Sequence, residues 1–150
     1  MTQDAALSRQ LYVKIAGTPL STAVMDELYR VEVESSLNLP AMCVLYVHDS
    51  TAELTNSGPF DLGAAIEVGV ADEQGRGETV LFDGEITGIE PDFREGTLAD
   101  LAIRAYDRSH RLHRGAFTRT YTNMTDSAIA SDVANQAGLQ NYLFGQAAAL

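Results

Sequence analysis

Leu11, Val13 and Ile15 alternate with Tyr12 and Lys14, and the same two-residue period returns where Tyr29, Val31 and Val33 alternate with Arg30, Glu32 and Glu34. Successive side chains of an extended chain point to opposite faces, so each stretch predicts a strand with one buried and one wet face. Gly17-Thr18-Pro19 closes the first, and Pro40 ends the loop after the second. Residues 42–48 are apolar on both faces and rich in β-branched and aromatic side chains, which predicts a strand covered on both sides. The Ser-, Thr- and Asn-rich stretch 49–58 predicts a loop. Leu62, Ala64, Ile66, Val68 and Val70 then alternate as another strand, residues 72–77 read as a hairpin connection, and 79–90 as its partner. Gly84 and Gly88 within that partner predict bulges or a tight bend. After a turn at 91–96, Ala99, Leu101, Ile103 and Ala105 face one way and Asp100, Ala102, Arg104 and Tyr106 the other, in a strand over 97–106.

From Asp107 the period changes. Residues 107–115 suit a short helix with Asp107 near its start and Gly115 just past its end. A longer helix runs from a Thr125 or Asp126 cap to Gly138, with Ile129, Val133 and Ala137 on one stripe. Residues 140–150 predict no definite element. The expected fold is mainly β: an antiparallel, tube-like barrel or sandwich over 1–106, then a helical portion over 107–150 that begins a region continuing beyond this chain.

Length and composition admit such a fold without staples. A chain of 150 residues buries roughly 68 to 70% of its unfolded surface. Cys43, the single cysteine, lies inside an apolar run, so neither an intrachain disulfide nor a cysteine zinc site can form, and a small buried hydrophobe is expected. The first ten residues lack a basic stretch leading into an apolar segment, and nowhere do eighteen apolar residues run together. No stable membrane insertion is expected.

The net charge of -11 opposes general nucleic-acid binding, which needs a surface that neutralises phosphates. Charge is unevenly placed, however. Residues 101–120 hold five arginines, Arg104, Arg108, Arg111, Arg114 and Arg119, against the single acid Asp107.

Candidate chemistry is sparse. His110 and His113 are three apart on a helical segment, but no third metal ligand accompanies them and the surrounding arginines oppose a cation. Asp107, Ser109 and His110 are the residue types of a hydrolase triad, yet adjacent positions on one helical turn point apart. Asp72 with Glu73 and Asp83 with Glu85 sit in or beside a hairpin turn, where solvated carboxylates are ordinary, and Gly75-Arg76-Gly77 lacks the context of a phosphate loop. No catalytic, cofactor-binding or metal-binding residue is expected. The arginines are another matter. Nine of the ten basic residues are Arg, whose planar fork suits fixed contacts with carboxylates. The five in 101–120 are therefore candidate assembly contacts, set against the plainer reading of a basic patch that solvates a helix.

The run Val80-Leu81-Phe82-Asp83-Gly84-Glu85-Ile86-Thr87-Gly88-Ile89-Glu90, then Ile103-Arg104-Ala105-Tyr106-Asp107-Arg108-Ser109-His110-Arg111-Leu112, then Thr118-Arg119-Thr120-Tyr121 and Thr125-Asp126-Ser127-Ala128-Ile129-Ala130, ending at Ala137-Gly138-Leu139, resembles the phage late control D and VgrG-like hub family. Phe60-Asp61-Leu62-Gly63 fits too; the first fifty residues match only in strand pattern. The resemblance implies a homotrimeric, non-enzymatic hub of a contractile injection system. Its tube-like domains would form a pseudo-sixfold ring joining the tail tube to the spike and baseplate, with a spike tip protein as a further partner and DNA or cargo passing through the lumen. It implies assembly in the cytoplasm into a virion tail or tail-like particle, and it leaves open a phage tail, a type VI system or an extracellular injection system. Two other readings stay open: a small OB-like barrel that binds single-stranded nucleic acid through its arginines, and a glycan-cleaving baseplate enzyme.

Overall fold

The computed structural model describes residues 9–72, 77–93 and 100–139. The chain divides into two compact units, Met1–Asp107 and Arg108–Leu150. In the first, the alternating stretches become seven strands: β1 (Arg9–Ile15), β2 (Thr18–Pro19), β3 (Leu28–Glu34), β4 (Met42–His48), β5 (Ala65–Asp72), β6 (Glu78–Asp92) and β7 (Asp100–Tyr106). They form one sheet in the order β2-β1-β5-β6-β7-β4-β3, every pairing antiparallel. The protein is mainly β, as its pattern predicts. Among the described residues no pairing joins the β2 and β3 ends, so the sheet is sandwich-like and not closed into a barrel.

The 15-residue strand β6 makes one sheet behave as two. Its first half, 78–85, pairs with β5, its second half, 85–92, pairs with β7, and only Glu85 faces both. The register slips between Ile86 and Gly88, a bulge of the kind that bends a strand. At Gly84 a Cβ would lie 2.3 Å from the Tyr106 carbonyl oxygen, an approach that glycine alone permits. Both glycines thus mark the bend that the sequence predicts. The half-sheets fold over one core, to which β1 and β5 contribute Val13, Ile15, Ile66 and Val68, β4 and β7 contribute Leu45, Val47, Leu101 and Ile103, and β6 contributes Phe82 and Ile86. Full burial of each such side chain is worth about 1.5–3 kcal/mol.

Strand β4 runs where the apolar run predicts, between β3 and β7. Cys43 is buried on its core side, and burial pushes the thiol up to about 12. Strand β3 departs from expectation. A bulge between Leu28 and Arg30 turns Tyr29 out of the core-facing series, and its ring stacks on His48 with centroids 4.2 Å apart. Val33 remains 40% exposed because β3 is the sheet's edge.

Three local features differ from the sequence reading. The turn after β1 is Ala16-Gly17, both residues with positive φ (48° and 79°), and Thr18-Pro19 returns as β2. No element is expected after Pro19, yet Thr22–Glu27 forms α1, with the Ser21 hydroxyl accepting the Val24 N–H and with Val24 and Met25 against the core. The predicted loop 49–58 contains the short helix α2 (Glu53–Ser57). The connection at 73–76, most of the turn and strand start at 94–99, and the tail 140–150 lie outside the described residues.

In the second unit Arg108–His113 forms a 3₁₀ turn and Asp126–Gln136 forms α3, capped by the Thr125 hydroxyl accepting from the Ala128 N–H. The end of α3 closes as Leu139 N–H bonds to Ala134 C=O and Gly138 N–H to Asn135 C=O, with Gly138 at φ 69°. The predicted stripe is displaced: Ala134 is the buried residue of α3, and Val133 is 43% exposed.

Candidate assembly surface

The five arginines fall in both units. Arg104 lies on β7 of the first, where its Nη2 donates to Glu90 Oε2 at 3.2 Å across the β6–β7 ladder. Arg108 begins the 3₁₀ turn of the second unit. Arg111, Arg114 and Arg119 come together there on the wall of a groove of about 460 Å³, with Leu112, Phe117 and Val133 as its apolar part.

Each of the three is held differently. Arg111 Nη1 donates to the carbonyl oxygens of Ala137 (3.3 Å) and Gly138 (3.1 Å), which places a cation at the negative end of the α3 dipole. Arg114 Nη2 lies 2.7 Å from His110 Nε2. A guanidinium can only donate, so Nε2 is the unprotonated imidazole nitrogen. Arg119 stands over the Phe117 ring, 5.8 Å from its centroid, and its Nη1 is 3.9 Å from Asp132. Asp132 Oδ2 also accepts from the Tyr121 hydroxyl at 3.1 Å and from the Gln136 amide at 2.6 Å. One carboxylate on α3 therefore ties down the chain that carries Arg119 and Tyr121. Among the described residues no Asp or Glu lines the groove itself, and the neighbouring carboxylate of Asp132 is engaged with its lining residues Arg119, Tyr121 and Gln136.

The first unit presents a different surface, on the sheet face away from the core. Lys14 Nζ bridges Glu67 and Glu78, each at 3.0 Å. Its bonds to Glu78 and then Glu67 raise the lysine above its ordinary range, and the Lys14 bond lowers Glu67. Tyr46 donates to Glu32 at 3.0 Å, which raises the phenol, and His48 Nδ1 lies 2.8 Å from Asp100. These pairs depend on strand register, which a period of two does not reveal. Among the described residues no three His, Cys, Asp or Glu side chains converge as a metal site, and no helix is long and apolar enough to cross a membrane.

This arrangement, a bent antiparallel sheet followed by a small helical unit, is a fold found in tail proteins. The chain is similar to the 43 kDa tail protein of prophage MuSo2 from Shewanella oneidensis, with 14% identity and a TM-score of 0.61, over 87% of this chain and 38% of that one. It is also similar to the tail protein from Neisseria meningitidis MC58, with 15% identity and a TM-score of 0.57, over 86% of this chain and 34% of that one. The chain thus spans little more than a third of either structure. It belongs to the family described as the Alg8 N-terminal domain, whose model matches residues 6–145. Among curated proteins none matches it.

Proposed function

We propose that this chain is a structural part of a phage tail or tail-like contractile injection machine, and within it a portion of the trimeric hub that connects the tail tube to the spike and baseplate. The observation that carries this reading is the fold shared with a prophage tail protein over 87% of the chain. The ordered motifs between Val80 and Leu139 point the same way. The role is mechanical: the hub is driven with the tube through a target envelope, and DNA or cargo follows through the lumen. No chemistry is assigned to the chain, and assembly takes place in the cytoplasm before the particle acts.

In this role the arginines are contacts. Exposed ion pairs contribute about 0–1 kcal/mol each, so Arg104, Arg108, Arg111, Arg114 and Arg119 set register and orientation while apolar contacts supply affinity. The test is mass photometry and electron microscopy of the full-length protein. Trimers and ring-shaped particles are expected, and a well-behaved monomer at high concentration without rings overturns the hub reading.

A further inference from the structure

Two exposed features in different units complement each other. The loop between β3 and β4 carries Leu37, wholly exposed, and Leu39, 67% exposed, with Glu34 at the end of the edge strand just before them. Leucines standing clear of a folded surface beside a carboxylate have the chemistry of a docking peptide. The groove of the second unit has the opposite character: three guanidinium groups, no carboxylate lining it among the described residues, and an apolar wall that includes Phe117, 82% exposed. Arg114, which directs one donor at His110, has others to offer.

We propose that residues 34–39 of one copy of this chain dock in the basic groove of a second copy, with Leu37 and Leu39 against Leu112, Phe117 and Val133 and the Glu34 carboxylate meeting Arg114. The contact rests on the reading of the chain as a self-assembling protein and adds to it the surfaces that meet. Loop and groove are different patches, so the contact is head-to-tail, and a head-to-tail contact builds rings when its rotation closes. That geometry suits a cyclic trimer.

The test mixes full-length chains carrying Asn38→Cys with chains carrying Gly115→Cys and adds a short bis-maleimide. Both positions are exposed. Cys43 is 1% exposed with its thiol pushed up to about 12, so it does not compete. The expected result is a cross-linked pair containing one chain of each kind, absent when either variant is treated alone. Arg114→Glu is expected to weaken self-association more than about tenfold, and Glu34→Arg in the same chain to restore it, because like charges brought together in an interface are costly. Oligomers that form without the mixed cross-link overturn this contact and leave the hub reading intact. Chains that remain monomeric at high concentration overturn both.

Discussion

Thr55 closes on Asp49 twice, its N–H at 2.8 Å and its hydroxyl at 2.6 Å from the same carboxylate oxygen, while the other oxygen accepts the Leu54 N–H at 3.0 Å. The carboxylate is buried, at 3% exposure, and supplies the α2 N-terminus with a cap from outside the helix. Burial pushes its pKa up, but the bonds from Thr55 and Leu54 outweigh this and hold it below the usual 3.8. Asp49→Ala is expected to cost about 1–3 kcal/mol, because two half-buried N–H groups lose their acceptor. A group with a depressed folded pKa stabilises fully above its unfolded value and loses that contribution as pH falls through the folded one. Urea unfolding of the wild type and Asp49→Asn from pH 6 down to pH 2 is expected to show a shallower loss in the variant at the acid end.

The Ala16-Gly17 turn holds an alanine at φ 48°, in the left-handed region where a Cβ costs roughly 1–2 kcal/mol. Asn tolerates that region and precedes glycine in the preferred two-residue hairpin turns. Ala16→Asn is expected to stabilise the first unit by about 0.5–1 kcal/mol, read as a higher melting temperature with an unchanged circular dichroism spectrum.

Gly84→Ala is the opposite case. The added methyl would meet the backbone of Tyr106, which cannot swing aside as a flexible side chain could. A loss of about 3 kcal/mol is expected in denaturant unfolding. Gly88→Ala, where the nearest atom lies at 3.5 Å, is expected to lose much less, so the pair separates crowding at the bend from a general intolerance of β6.

In the second unit, Asp132→Ala removes the acceptor shared by Tyr121 and Gln136 and the ion partner of Arg119. A cost of about 1–2 kcal/mol is expected, with faster amide exchange at α3. Asp126→Ala, at the start of the same helix, is expected to leave the groove's shape unchanged. Comparing the two in hydrogen exchange isolates the role of Asp132.

What could be read from the sequence follows from what each element depends on. Strand β4 was legible because its core side, Cys43, Leu45 and Val47, is apolar and buried. Its outer side is not covered as the apolar run predicts and carries half-buried Tyr46 and His48 in polar pairs. Strand β7 was legible because Leu101, Ile103 and Ala105 are all wholly buried on one face. Strand β3 misled because one extra residue, Tyr29, breaks its alternation, and because its edge position leaves Val33 in water despite an apolar pattern. Helices α1 and α2 were missed because six and five residues are too few to display a period, and α2 is capped by the more distant Asp49. The basic groove was only half legible. Its arginines stand out in the composition, but their convergence depends on Asp132 and on the Gly138 turn that brings carbonyls to Arg111.

Strand β6 carries one ladder on its first half and another on its second. The bonds of an antiparallel ladder lie across the strand direction, so tension along β6 loads many of them together in shear. Under such a load that strand is a tie-rod: force entering through one half-sheet reaches the other along covalent backbone, without relying on side-chain packing across the core.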